Sequence, residues 1–90
     1  MNNEIVMYAS AWCGYCHRAR SLLQSKNVEF TEVVIDGNSE LRRQMIARTG
    51  RQTVPQIFIG ERHLGGCDEL VALELAGELD ALLVGKSITA

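Results

Sequence analysis

The stretch that decides the fold is Glu4-Ile5-Val6-Met7-Tyr8-Ala9-Ser10-Ala11-Trp12-Cys13-Gly14-Tyr15-Cys16-His17-Arg18-Ala19. Residues 4–8 are short, β-prone and nearly all apolar, as in a strand covered on both faces. Ala9 to Gly14 reads as a loop. From Tyr15 to about Ser25 the period becomes helical, with Ala19, Leu22 and Leu23 on one stripe and Asn27 as the stop. A CxxC pair therefore sits where a strand hands over to a helix. The unpaired N–H groups and positive dipole end of a helix start favour an anion there.

Outward from that point the chain continues as β-α-β-β-α. Val28 to Ile35 reads as a second strand closed by Asp36-Gly37, and Ser39 as the N-cap of a helix carrying Leu41, Met45 and Ile46 to Gly50. Gln56 to Ile59 is a third strand, and Gly60-Glu61-Arg62 turns into a short fourth, His63-Leu64. Asp68 reads as the N-cap of a helix carrying Leu70, Val71, Leu73 and Leu75, ended by Gly77. A last turn spans Leu79 to Val84 before a polar tail. The first βαβ unit places two strands parallel by a right-handed crossover, and the later hairpin can be antiparallel. The expectation is an α/β protein of thioredoxin-like type: a four-stranded mixed sheet flanked by helices, one domain over residues 1–90.

Composition narrows the chemistry. Ninety residues exclude a multidomain enzyme or a long repeat array, and 47% hydrophobic residues with one proline describe a globular chain. Nine basic against eleven acidic residues, a formal charge of −2, give no reason to expect nucleic acid or an anionic membrane as partner. No apolar run approaches the ~20 residues that span a bilayer. The start, Met1-Asn2-Asn3-Glu4, lacks the basic and apolar regions of a secretory signal. Three cysteines are too few for a disulfide-stapled secreted domain, so a reducing, cytoplasmic compartment is expected.

In that compartment Cys13 and Cys16 suggest redox chemistry. Cys13, nearer the helix mouth, reads as the nucleophile, and Cys16, inside the first turn, as the resolving thiol. At such a site a thiol pKa of ~8.5 can fall into the ~3.5–7.5 range. A fall to ~5 would raise the thiolate fraction at pH 7 from ~3% to ~99%. A Brønsted slope of ~0.45 cancels most of that gain in attack. The benefit lies in departure, because the more acidic thiol is the better leaving group. Two other readings compete: small buried packing residues, or a zinc site recruiting Cys67 with His17 or His63, for which a second CxxC is missing.

The motifs Cys13-Gly14-Tyr15-Cys16-His17-Arg18-Ala19, Thr53-Val54-Pro55-Gln56-Ile57-Phe58-Ile59 and Gly65-Gly66-Cys67-Asp68-Glu69-Leu70 together resemble glutaredoxins of the small bacterial dithiol class, from Glu4 to about Leu83. The resemblance implies a glutathione-dependent reductant of protein disulfides and glutathione mixed disulfides, with a potential of ~−200 to −230 mV. It implies that Pro55 is cis and faces the CxxC loop, and that Val54 lends its backbone N–H and C=O to glutathione's cysteinyl unit. The N–H groups of Cys67 and Asp68, approached closely because of Gly65 and Gly66, would hold the γ-glutamyl carboxylate. The Asp68 side chain would meet the ammonium. Arg42 aligns with a position that reaches the glycyl carboxylate, with Gln52 nearby. Thr53 belongs to the same loop, Tyr15 flanks the mixed disulfide, and Tyr8 either frames the pocket or packs in the core. Cys67 itself is read as inert or regulatory.

Two departures from the family pattern stand out. Gly14 replaces a frequent proline, and Ser10 stands where a lysine often lies three residues before the first cysteine. Some relatives with Gly-Tyr or Ser-Tyr centres form dimers around a [2Fe–2S] cluster held by the first cysteine and a bound glutathione from each subunit. A cluster-binding carrier or sensor is therefore the alternative, with a monomer expected unless a cluster is bound.

Overall fold

The structure is a computed structural model that describes residues 4–83. In chain order the elements are β1 (Ile5–Ala9), α1 (Gly14–Ser25), β2 (Thr31–Val34), α2 (Ser39–Thr49), β3 (Gln56–Ile59), β4 (Arg62–Gly65), α3 (Cys67–Leu75) and α4 (Leu79–Leu83). The strands form one mixed sheet in the order β2-β1-β3-β4. β1 runs parallel to β2 and antiparallel to β3, which is antiparallel to β4. This is the expected four-stranded sheet with flanking helices.

Strand alternation divides the core into two. On one face Ile5, Met7, Ala9 and Ile57 pack with Ala19 and Leu23 of α1 and Leu70, Leu79 and Leu83 of α3 and α4. On the other, Tyr8 and Phe58 pack with Ile35 and Met45. Burying both faces of β1 explains why its sequence lacks polar alternation. Tyr8 is a core residue, and its hydroxyl accepts a hydrogen bond from Arg48 Nη1 at 2.9 Å.

Several local expectations need correction. The N-cap of α2 is Asn38, whose side-chain oxygen accepts from Leu41 N–H at 3.0 Å, so Ser39 is the first helical residue. α3 begins with Gly66 as its cap, which puts Asp68 inside the first turn. The second strand is confined to Thr31–Val34 because the chain leaves α1 through Lys26 and Asn27, the latter left-handed at φ 56°, before it rejoins the sheet. Leu75 is 82% exposed at the end of α3, outside the buried stripe. The expected last helical residue, Val84, and the polar tail lie outside the described residues.

Candidate active site

The site forms where the C-terminal end of β1 meets the start of α1. Cys13 is the N-cap of α1, and its Sγ accepts a hydrogen bond from Cys16 N–H at 3.2 Å. A sulfur here does the work an Asp or Ser side chain commonly does at a helix start. The same Sγ lies 3.6 Å from the carbonyl oxygen of Val54, to which a protonated thiol can donate. The first contact needs the sulfur as acceptor and the second needs it as donor.

The two thiols differ sharply in access. Both are free; Cys13 is half-buried and Cys16 is fully enclosed. Burial pushes the Cys16 thiol from 9.0 up to about 12, with the neighbouring Cys13 adding to the shift and a backbone N–H from Ser10, 3.5 Å from its sulfur, opposing it. Cys67 is also buried, and its thiol is raised chiefly by desolvation.

The loop before Cys13 is tethered from outside. Ser10 Oγ donates to Asp36 Oδ1 at 2.6 Å, and Ala11 N–H donates to Asp36 Oδ2 at 2.9 Å. These two bonds hold the Asp36 carboxyl below its ordinary value. Ser10, which offers no cation, thus anchors the loop. Sequence reasoning saw Asp36 only as half of a turn pair.

A cleft of about 310 Å³ is lined by Tyr15 from α1, by Arg51, Thr53, Val54 and Pro55, and by Gly66 through Glu69 at the start of α3, and Cys13 Sγ reaches it through the Val54 carbonyl. The Val54–Pro55 bond is cis, as expected. Seven of the residues expected around glutathione converge here: Tyr15, Thr53, Val54, Pro55, Gly66, Cys67 and Asp68. Arg42 and Gln52 fall outside the lining and join each other, Arg42 Nη1 donating to the Gln52 carbonyl at 3.3 Å. Arg51 and Glu69, which sequence reading passed over, also line the cleft. Glu69 Oε1 accepts from Gly66 N–H at 2.6 Å and from Arg51 Nη1 at 2.8 Å, and these two contacts, the first foremost, hold its carboxyl below the ordinary value. A Glu three residues after a helix cap was the available signal, obscured because the cap is a glycine.

A larger cavity of about 840 Å³ lies along Arg20, Gln24, Phe30 and Glu32 but contains no thiol, so it offers no comparable chemistry. Among the described residues no three His, Cys, Asp or Glu side chains converge as metal ligands. His17 is exposed, and His63 is hydrogen-bonded to Gln56.

The glutaredoxin family model matches residues 5–64. The chain belongs to the glutaredoxin family. It is 58% identical over 79 residues to a glutaredoxin of Pseudomonas aeruginosa, covering 88% of this chain and 94% of that one. It is 56% identical over 80 residues to glutaredoxin 3 of Escherichia coli K12, covering 89% and 96%. Among solved structures, a buckwheat glutaredoxin–glutathione complex superposes with a TM-score of 0.86 at 30% identity, covering 94% of this chain and 82% of that one. Glutaredoxin membership and the CxxC geometry make the chain a thiol–disulfide oxidoreductase. Among the described residues no helix is long and apolar enough to cross a membrane.

Proposed function

We propose that this glutaredoxin is a single-domain, cytoplasmic enzyme that uses glutathione to reduce glutathionylated proteins and protein disulfides, with Cys13 as nucleophile. The observation that carries the reading is that Val54, whose carbonyl lies 3.6 Å from Cys13 Sγ, lines one cleft together with the α3 N-terminus. A tripeptide entering there meets an open backbone unit at Val54. It also meets the first-turn N–H groups of Cys67 and Asp68, which have no intrahelical partner. The Asp68 carboxylate supplies the counter-charge for an ammonium. The buckwheat glutaredoxin, similar in fold, is described in complex with glutathione.

The chemistry balances in two exchanges. The Cys13 thiolate attacks the glutathionyl sulfur of a protein–glutathione disulfide; the Cys13–glutathione bond forms, and the protein sulfur leaves as a thiolate and takes a proton. A second glutathione thiolate then attacks the bound glutathionyl sulfur, releasing glutathione disulfide and restoring ionised Cys13. For a protein disulfide, Cys13 attacks one substrate sulfur and expels the other as a thiolate; Cys16, giving up its proton, then attacks Cys13 Sγ and expels the sulfur still bound there, leaving a Cys13–Cys16 disulfide that two glutathione thiols reduce with formation of glutathione disulfide. The buried, weakly acidic Cys16 favours the first route wherever free glutathione can reach the cleft.

A shared [2Fe–2S] cluster would rest on Cys13 alone from this chain, since Cys16 and Cys67 are enclosed. Gly14 has open space around the position of a Cβ and does not obstruct such a mode, but no specific observation favours it over the exchange reaction.

The test is release of glutathione from a glutathionylated peptide together with an NMR titration with glutathione. Cys13→Ser abolishes turnover, and glutathione shifts the amides of Val54, Cys67 and Asp68 in a saturable way. Absence of saturable shifts at millimolar glutathione, or retained turnover in Cys13→Ser, overturns the reading.

A further inference from the structure

Among the described residues Gln56 is the one fully buried polar side chain, and the exchange chemistry does not use it. Its position is specific. It is the first residue of β3, directly after the cis Val54–Pro55 bond, on the sheet face it shares with Tyr8 and Phe58. Its amide Nε2 lies 3.0 Å from the Thr53 carbonyl oxygen and 3.2 Å from Thr53 Oγ1. Its Oε1 lies 2.7 Å from His63 Nε2.

The direction of each bond follows from donor and acceptor chemistry. A carbonyl oxygen can only accept, so the amide nitrogen must face Thr53 and the amide oxygen must face His63. That oxygen can only accept in turn, so His63 Nε2 carries the proton. His63 is held by stacking on Phe58, ring centroids 5.0 Å apart, across the strand pair Phe58↔His63. Arg48 also lies over that ring, its guanidinium 3.9 Å from the Phe58 centroid. Protonation of His63 would add a proton at Nδ1 and leave the Nε2 donor in place.

The end of this chain of bonds is a peptide plane. The Thr53 carbonyl and the Val54 N–H belong to one rigid trans unit and point in opposite directions. With that carbonyl bonded to the buried Gln56 amide, the Val54 N–H points the other way, and Val54 itself lines the cleft. We propose that His63 and Gln56 are positioning residues: the relay from His63 Nε2–H through the Gln56 amide to the Thr53 carbonyl sets the angle at which Val54 N–H meets the bound tripeptide. The proposal rests on the glutathione reading above and adds to it the two residues that aim its backbone contact.

The experiment compares wild type, Gln56→Met and His63→Phe in three measurements. Steady-state kinetics gives KM for glutathione, iodoacetamide alkylation reports the Cys13 sulfur without glutathione, and ¹⁵N NMR of the wild-type histidines reads the His63 tautomer. Gln56→Met is expected to raise the glutathione KM about fivefold, the loss of one aligned hydrogen bond, with Cys13 alkylation within about twofold of wild type. His63→Phe keeps the stack on Phe58 and raises KM about twofold. The wild-type tautomer is Nε2–H. A folded Gln56→Met protein with unchanged KM, or an Nδ1–H tautomer at His63, overturns the relay. Should Gln56→Met fail to fold, the His63 variant and the tautomer still decide. Wild-type protein whose rate does not saturate with glutathione would sink the functional reading instead, and the tautomer continues to test the relay separately.

Discussion

Replacing Cys16 with serine tests whether the buried thiol is needed for glutathione-linked turnover. With its thiol raised from 9.0 to about 12, Cys16 at pH 7 carries roughly a thousandfold fewer thiolates than an ordinary cysteine. A Brønsted slope of ~0.45 returns about twentyfold of that through the greater nucleophilicity of a more basic sulfur. The remaining deficit is about fiftyfold before steric access is counted, and Cys16 has no exposed surface. When Cys13 is held in a mixed disulfide its charge and its side-chain contact no longer raise the Cys16 thiol, but desolvation, the largest cause, stays. A glutathione thiolate arriving through the cleft suffers no such penalty. Cys16→Ser should therefore keep at least half of the wild-type rate with a glutathionylated peptide. The assay follows peptide thiol release by reverse-phase chromatography at fixed glutathione, with parallel mass spectrometry of iodoacetamide-treated wild type. Cys16 should remain unmodified while Cys13 reacts. Alkylation of Cys16 at the rate of an unfolded cysteine, or a tenfold fall in turnover on Cys16→Ser with the fold intact, would refute the reasoning.

Asp36→Ala removes the partner of both Ser10 Oγ and Ala11 N–H, so the loop carrying Trp12 to Cys13 loses its tether; turnover should fall by roughly two- to fivefold while far-UV circular dichroism is unchanged. Equal rates would show that α1 alone positions Cys13. Gly65→Ala meets two obstacles, a φ of +117° and a Cβ that would lie 2.5 Å from Glu69 Oε1, and should destabilise by about 1–3 kcal/mol, lowering Tm by about 10 °C. Gly14→Ala, with no neighbour within 4 Å and φ in the ordinary range, serves as the tolerated control. Glu32, Asp36 and Glu69 all have carboxyls held below their ordinary values in the fold. As pH falls below that ordinary range the unfolded chain takes up protons first, so the stability from these contacts is present above it and lost on acidification. The urea midpoint should decline in acid, less steeply in Glu69→Gln; a midpoint that rises in acid would contradict the sign.

How much of this was legible beforehand depended on how local the cause was. The β1–α1 junction with its CxxC could be read directly, because strand period, helix period and the cysteine spacing occur within one short segment. The β3–β4 hairpin was equally plain from Gly60 and the apolar run before it. Element ends were less so. Asn38 and Ser39 are both good caps, and only the backbone angle of Asn38, φ −127° with ψ 93°, decides between them. Leu75 fits the apolar period of α3, but the helix ends before anything packs over that side chain.

The site divides in the same way. Adjacency in sequence marked Cys13 as a thiol at a helix start, whereas the roles of Val54 and of Gly66 to Asp68 were implied by the resemblance to glutaredoxins; read from its residues alone, Thr53-Val54-Pro55 is a plain loop leading into a strand. Side chains that act across the fold carried no such label. Asp36 reaches Ser10 across the β1–β2 pair, Arg51 reaches Glu69 of α3, and Gln56 reaches His63 across the β3–β4 hairpin while its amide nitrogen turns back on Thr53. A charged or amide side chain has many possible partners along a chain and few in a packed interior. The sequence alone therefore determined the CxxC at a helix start and the kind of fold that presents it. Only the tertiary structure decided which polar groups hold that sulfur and its cleft in register, because those partners exist only once distant strands and helices are brought together.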